Sequence, residues 1–325
     1  MIIAELSANH MGSIRRAKSL IKAAAEAGAD AVKLQTYEPE DMTLDVDAPG
    51  FVLDKAPWDG ERLFDLYYRA QTPRHWYKAL AEHARSLGLM CFSSPFSVDA
   101  VKFLEGFHPP FYKIASCEIT HVELIAAAAA TSKPLIISTG CATEADILAA
   151  LSIPTVDRKA VTLMHCVASY PTRPEQANLG RIAQLRERWG CNVGLSDHSL
   201  SIYTPVAATA LGATMIEKHL TLKRSDGGPD AAFSLEPDEF AAMAAAVRET
   251  RLALQPCTTA SDMVGLKRSL YVVQDIKAGD VITRDNVRAI RPSGGMLPSS
   301  LPILLGMKAR KDALKGTPMQ MEVVQ

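Results

Sequence analysis

Two lysines, two histidines and a set of serines occupy one kind of place in this chain, at or just after the end of a short apolar, β-branched run. Lys33 lies inside the run 31–36 and Lys113 inside 111–115. Ser94, Ser116, Ser138 and Ser196 sit at the ends of further runs. A lysine that points inward from such a run must be paired, because an unpaired buried charge is costly. One outcome is a structural ion pair with Glu5 or Glu118. The other is a pocket for phosphate and carboxylate, in which the hydroxyls donate and Gly140 lets the backbone approach an anion. His198 and His219 follow neighbouring runs, so their imidazoles can converge. Two neutral imidazoles with water and a substrate oxygen make an open divalent-metal site. Asp197 and Glu217 beside them are candidate ligands, orienting groups or partners for Lys218. His10, His121 and His165 carry weaker claims, and a hydrogen bond inside the fold would satisfy His165.

The elements that must position these groups are legible. Strand candidates fall at 2–6, 31–36, 89–93, 111–115, 134–138, 161–166, 193–195 and 215–217, separated by amphipathic helical patterns. The clearest helix spans 14–27, with Gly28 as its stop. Eight strands alternating with helices over about 250 residues predict a (β/α)8 TIM barrel. A doubly wound open sheet is the alternative, weakened by the lack of a glycine-rich dinucleotide loop after the first strand. In a barrel, catalytic groups come from the C-terminal strand ends and the loops after them. That rule gathers Glu5, Gln35, Tyr170 and the residues above onto one rim. The glycine- and acid-containing loop 225–234 suits a mobile substrate cover carrying Asp230, although a solvated turn has the same composition. After a helix at 237–254 the pattern changes to short segments with Gly and Pro turns. The expected domains are a barrel at 1–254, a linker at 255–267 and a small β-rich domain at 268–325.

Composition narrows the function. The 325 residues are 48% hydrophobic and 22% charged, with a formal net charge of -1, which gives no footprint for nucleic acid or membrane. No apolar run has membrane-spanning length, and the opening residues lack signal-peptide features. A cytoplasmic enzyme is expected. Cys91, Cys117, Cys141, Cys166, Cys191 and Cys257 are scattered without a CxxC pair, so reduced thiols are expected.

The motifs, in order, resemble the sialic acid synthase family: AELSANH at 4–10, KLQTY at 33–37, SSPF at 93–96, YKIAS at 112–116, STG at 138–140, HC at 165–166, YPT at 170–172, GLSDH at 194–198 and EKH at 217–219. RSLY at 268–271, IKAG at 276–279, RP at 291–292 and LG at 305–306 resemble its antifreeze-like (SAF) domain. The resemblance implies a metal-dependent condensation of phosphoenolpyruvate (PEP) with an open-chain amino-sugar aldehyde, releasing phosphate and a nine-carbon sugar acid. It implies that Lys33, Ser94, Lys113, Ser116, Ser138 and Ser196 hold PEP. His198 and His219 would bind a divalent ion, Mn2+ first, with Mg2+ or Co2+ as substitutes. Glu5, Gln35, Tyr170 and Asp230 would face the sugar or the reacting centre, with Glu5 the catalytic candidate. Arg291 would reach the sugar in the partner subunit of a domain-swapped homodimer. The AELSANH opening, WD at 58–59 before a Leu- and Tyr-rich helix, CFSSPF at 91–96 and RPSGG at 291–295 resemble the branch that uses 2,4-diacetamido-2,4,6-trideoxy-altrose and makes pseudaminic acid. Neuraminate or legionaminate synthesis is the same chemistry on another sugar. A metal-dependent pyruvate aldolase would release no phosphate. A non-catalytic carbohydrate-binding protein would have no use for the paired histidines and rim lysines.

Overall fold

The computed structural model describes residues 1–54, 58–256 and 265–324. Residues 257–264, which include Cys257 and most of the expected linker, lie outside the described residues. The chain divides into two compact units, Met1–Gln255 and Pro256–Gln325.

Unit one is a closed parallel barrel of eight strands in sequence order. The strands are β1 Ile2–Glu5, β2 Ala31–Thr36, β3 Met90–Pro95, β4 Tyr112–Ile114, β5 Leu135–Ser138, β6 Val161–Cys166, β7 Asn192–Asp197 and β8 Ile216–His219. All eight expected strands are present. The main difference is that β3, β7 and β8 each run two residues beyond the expected ends, and in β7 and β8 the extension carries site residues. Their polar tails continue the pairing, Ser196 opposite Glu217 and Asp197 opposite Lys218. His219 is therefore the last residue of β8, opposite Glu5 of β1.

Helices cover the outside of the barrel. In the helix Ile14–Glu26, Ala17, Leu20, Ile21 and Ala24 are buried at helical spacing. The Ser13 hydroxyl caps its start by accepting from the Arg16 amide. Gly28 ends it at φ +83°, a left-handed conformation that glycine adopts without strain.

Strand alternation builds the barrel interior in layers. Ile3, Ala31, Phe92, Ile136 and Met164 form a buried apolar cluster, with Met1, Phe111 and Met215 packed against it. Two positions further along the eight strands come Glu5, Lys33, Ser94, Lys113, Ser138, Cys166, Ser196 and Glu217. An apolar layer thus supports a polar one, and the polar layer lies towards the C-terminal rim.

In unit two, β9 Ser269–Val272 pairs antiparallel with β10 Val287–Ile290. Isolated bridges such as Ile276 to Ala313 and Val281 to Lys308 complete it. Leu270, Val272, Ile282, Val287 and Met319 lie in its separate core. Among the described residues no helix is long and apolar enough to cross a membrane.

Phe92 is fully buried in the apolar layer, edge-on to Phe111 at 5.8 Å. Phe92→Ala should cost about 3–5 kcal/mol of barrel stability, read as a lowered urea midpoint. A loss under about 1 kcal/mol would mean that this layer does not support the polar one.

Candidate active site

Glu217 organises the polar layer. Lys113 Nζ donates to both of its carboxylate oxygens at 2.8 and 2.9 Å. Lys33 Nζ donates to Oε1 at 3.1 Å, and Ser196 Oγ donates to the same oxygen at 2.9 Å. Lys33 also pairs with Glu5 Oε2 at 2.7 Å. All five residues are buried. Burial alone would raise the Glu217 carboxyl, but the two ammonium groups hold it well below the usual range. Lys33 moves the other way. Burial, with Lys113 nearby, lowers it to about 7 against the pull of Glu217. The expected ion pair of Lys33 with Glu5 is present, but Lys113 pairs with Glu217 and not with Glu118. The Glu118 carboxylate lies instead beside His121.

A second network joins Glu5 to the loop after β8. Ser7, at φ +43°, donates its amide to Glu5 Oε1 at 2.7 Å and its hydroxyl to the Asp230 carboxylate. Gln35 Nε2 donates to Ser7 Oγ at 3.0 Å. Burial raises the Asp230 carboxyl. Asp230 therefore belongs to a packed part of the loop that was expected to be mobile. Ala231, Phe233 and Ser234 are also buried, and Asn9 Nδ2 donates to Ser234 Oγ at 2.8 Å.

His198 and His219 converge, with ring centroids 5.5 Å apart. His198 Nδ1 donates to the Val167 carbonyl at 2.9 Å, which leaves Nε2 with its lone pair free. Nδ1 of His219 is buried without a hydrogen-bond partner among the described residues. Burial lowers His198 to about 4 and holds His219 well below the usual histidine range. Both rings are neutral at pH 7, the state a cation needs in its ligands. Among the described residues no group of three or more His, Cys, Asp and Glu is placed to hold a metal ion. The two neutral imidazoles fit a divalent ion only if it takes its remaining ligands from outside the protein. Asp197 does not join them. It pairs with Lys218 and accepts from Ser199, so it braces the strand ends from outside the cavity.

A cavity of about 270 Å³ collects these groups. Glu5, Lys33, Gln35, Lys113, Ser116, Ser138, Tyr170, Ser196, His198, His219 and Asp230 line it, as does Glu217. Among the described residues the buried Ser138 and Ser94 hydroxyls have no hydrogen-bond partner; Ser138 borders the cavity and is available as a donor there, whereas Ser94 does not border it. At Gly140 a Cβ would stand 2.4 Å from Cys166 Sγ, so the loop after β5 needs glycine there. Tyr170 stacks 4.3 Å from the His198 ring and 5.0 Å from Phe233. Arg291 is exposed on unit two. His10 accepts from the Gly12 amide and contacts Thr72 Oγ1, while His165 Nε2 bonds the Ala177 carbonyl, so both are satisfied within the fold. Sequence reasoning missed Tyr37, Leu53, Leu63, Leu66, Tyr67 and Phe233, which form an apolar side of the cavity. KLQTY at 33–37 and the loop 225–234 contained Tyr37 and Phe233 without marking them, and WD at 58–59 with the helix after it hinted at the rest of that side.

The comparisons agree with this geometry. At 44% identity, the chain is similar to a pseudaminic acid synthase of Campylobacter jejuni subsp. jejuni serotype O:2, over 96% of this chain and 92% of that one. The N,N'-diacetyllegionaminic acid synthase of the same strain is 30% identical, over 96% of both chains. Among solved structures, an N-acetylneuraminic acid (sialic acid) synthetase from Leptospira borgpetersenii serovar Hardjo-bovis superposes with a TM-score of 0.71 at 32% identity, covering 79% of this chain and 87% of that one. The SAF domain matches residues 267–322 and the NeuB family matches residues 20–258; the chain belongs to the NeuB family.

Proposed function

We propose that this enzyme carries out the pseudaminic acid synthase reaction, condensing PEP with 2,4-diacetamido-2,4,6-trideoxy-altrose and releasing phosphate. The observation that carries the choice of sugar is the 44% identity to the pseudaminic acid synthase against 30% to the legionaminic acid synthase of the same strain. The barrel, the paired imidazoles and the buried lysines support the chemistry.

In this reading Lys33 and Lys113 turn from Glu217 towards the phosphate and carboxylate of PEP, with Ser116, Ser138 and Ser196, which border the cavity, donating. Glu217 keeps both ammonium groups in place before PEP arrives and is displaced only in part, because one carboxylate cannot satisfy six N–H donors. His198 and His219 would hold a divalent ion, Mn2+ in this proposal, which when bound would supply Lewis acidity for the sugar aldehyde. Glu5 lies between Lys33 and the Ser7 amide, where it holds or moves a proton beside the reacting carbons. Gln35, Tyr170 and Asp230 orient the sugar hydroxyls. C3 of PEP bonds to the aldehyde carbon, water adds to C2, and the tetrahedral C2 expels phosphate by C–O cleavage, which leaves the keto group of the sugar acid. Arg291, whose rigid fork suits carbonyl and hydroxyl oxygens, completes the sugar site of the partner barrel in a domain-swapped homodimer. The use of PEP, a cytoplasmic metabolite, supports a cytoplasmic site for the reaction.

A panel of amino-sugar aldehydes with PEP tests the assignment, with products identified by mass spectrometry and phosphate release measured. The altrose derivative should be the best substrate, and chelation should stop turnover until Mn2+ is restored. A better manno-configured substrate would overturn the choice of sugar.

Lys33→Ala and Lys113→Ala should each raise the Kd for PEP tenfold or more by calorimetry, from about 1.5–3 kcal/mol of lost charge-assisted bonding. Glu217→Gln should lower the melting temperature of the free protein. Saturating PEP should then raise it by more than in wild type, because the anion supplies the missing counter-charge. An unchanged increment would mean that the lysines do not meet the anion.

Arg291→Ala and His198→Ala should each be inactive. Mixed and allowed to exchange subunits, they should recover about a quarter of wild-type activity, since half the dimers are mixed and each carries one intact site. A mixture that stays inactive after confirmed exchange would rule out the shared site.

A further inference from the structure

The cavity has two chemically different sides. One is the strand-built floor of Lys33, Lys113, Glu217 and the histidines. The other is apolar, and much of it comes from one element. In the helix Leu63–Ala70, Leu63, Leu66, Tyr67 and Ala70 all border the cavity. Spacings of three, four and seven residues place them in one stripe along the helix. Asp65, Tyr68 and Arg69 on the other face are exposed.

The stripe is held rigidly. The Leu63 amide donates to the Phe51 carbonyl at 2.9 Å and the Leu53 amide to the Glu61 carbonyl at 2.9 Å, so the start of the helix is tied to the segment before it. Tyr67 packs edge-on to Tyr37 at 6.0 Å, and Tyr37 in turn to Phe96 at 5.3 Å. Trp58 Nε1 donates to the Pro229 carbonyl at 3.1 Å, which uses its one polar atom and leaves its ring to the cavity. An amphipathic helix ordinarily turns its apolar stripe to a protein core. Here the stripe borders the cavity instead, and an apolar ligand group that covers it gains by removing that surface from solvent.

We infer that this stripe is the specificity element for the sugar and that it reads the C6 methyl group. The inference rests on the reaction proposed above. There, the aldehyde carbon C1 is fixed at the His198 and His219 end of the cavity. The chain must then project away from the floor, and C6 is its far end. In a 6-deoxy sugar that end is a methyl group, which matches leucine side chains. A hydroxyl at C6 would lose its water and find no donor or acceptor on Leu63 or Leu66.

The test compares 2,4-diacetamido-2,4,6-trideoxy-altrose with its 6-hydroxylated analogue, 2,4-diacetamido-2,4-dideoxy-altrose, each with PEP, by the kcat/KM for phosphate release. Wild type should prefer the 6-deoxy sugar by roughly 10- to 100-fold, the range an apolar pocket achieves against one added hydroxyl. Leu63→Asn and Leu66→Asn should reduce that preference at least about tenfold, and Leu63→Met should keep it. The ratio for two sugars on one preparation cancels the folded fraction, so partial misfolding cannot imitate the effect. If Leu66→Asn is inactive, the partly exposed Leu63 still gives the answer. Equal kcat/KM for the two sugars in wild type, or an unchanged ratio in the asparagine variants, would overturn the inference. A wild-type enzyme that converts neither sugar would refute the proposed reaction first, and the assignment of the stripe would fall with it.

Discussion

Two ammonium groups cannot share the inside of a barrel unless a carboxylate stands between them. Glu217 is that carboxylate, in contact with Lys33, Lys113 and Ser196 at once. Its own burial would cost several kcal/mol if it were unpaired, and so would that of either lysine. The three are affordable only together. The arrangement keeps cations concentrated at the centre of the cavity while Glu5 and Glu217 balance them in formal charge. An incoming anion therefore meets preformed donors without the protein having to hold an uncompensated charge in its absence.

The constraint extends outward through the strand register. Glu217 and Lys218 are adjacent in β8 and point to opposite sides of the sheet. Glu217 serves the cavity, while Lys218 is buried on the outer side against Asp197. Asp197 sits opposite Lys218 in β7, just before His198, and also accepts from Ser199. One pair of strands thus carries an inner and an outer ion cluster, and the outer one fixes the turn that presents His198. That placement explains why Asp197, with a carboxylate next to a candidate ligand, is not a ligand itself.

Much of this was legible from sequence, for a specific reason. The groups at strand ends are polar exceptions in apolar runs, and a polar exception in a buried element needs a partner or a function. Lys33, Lys113, His198 and His219 stood out on those grounds, and period-two alternation in a barrel sends them to one rim. The partners were less legible. Lys113 and Glu217 are 104 residues apart and meet only because β4 and β8 face each other across the closed barrel. Glu118, five residues from Lys113, is the nearer partner in sequence. The packed state of Asp230 was hidden too, because a loop rich in glycine and acids has the same composition whether a buried serine such as Ser7 waits for it or not. The apolar side was hardest to see. Leucines and tyrosines at helical spacing have the pattern of ordinary core residues, and nothing in their order shows that the space before them is a cavity.

The two sides of the cavity also differ in how freely they can change. Lys33, Lys113 and Glu217 of the floor belong to the barrel ladder, where each is two residues from the apolar layer and shares its backbone hydrogen bonds with a neighbouring strand. Replacing one member leaves a buried charge or donor unmatched, so floor residues are coupled to one another. The helix Leu63–Ala70 lies outside the ladder, in the connection between β2 and β3, and its contacts with the cavity are apolar and separable. An exchange there alters shape and polarity without disturbing an ion pair. A barrel built this way can keep one condensation chemistry while the sugar it accepts is set by a connecting segment. That matches the general division in which a rigid scaffold holds reacting groups and its loops hold specificity.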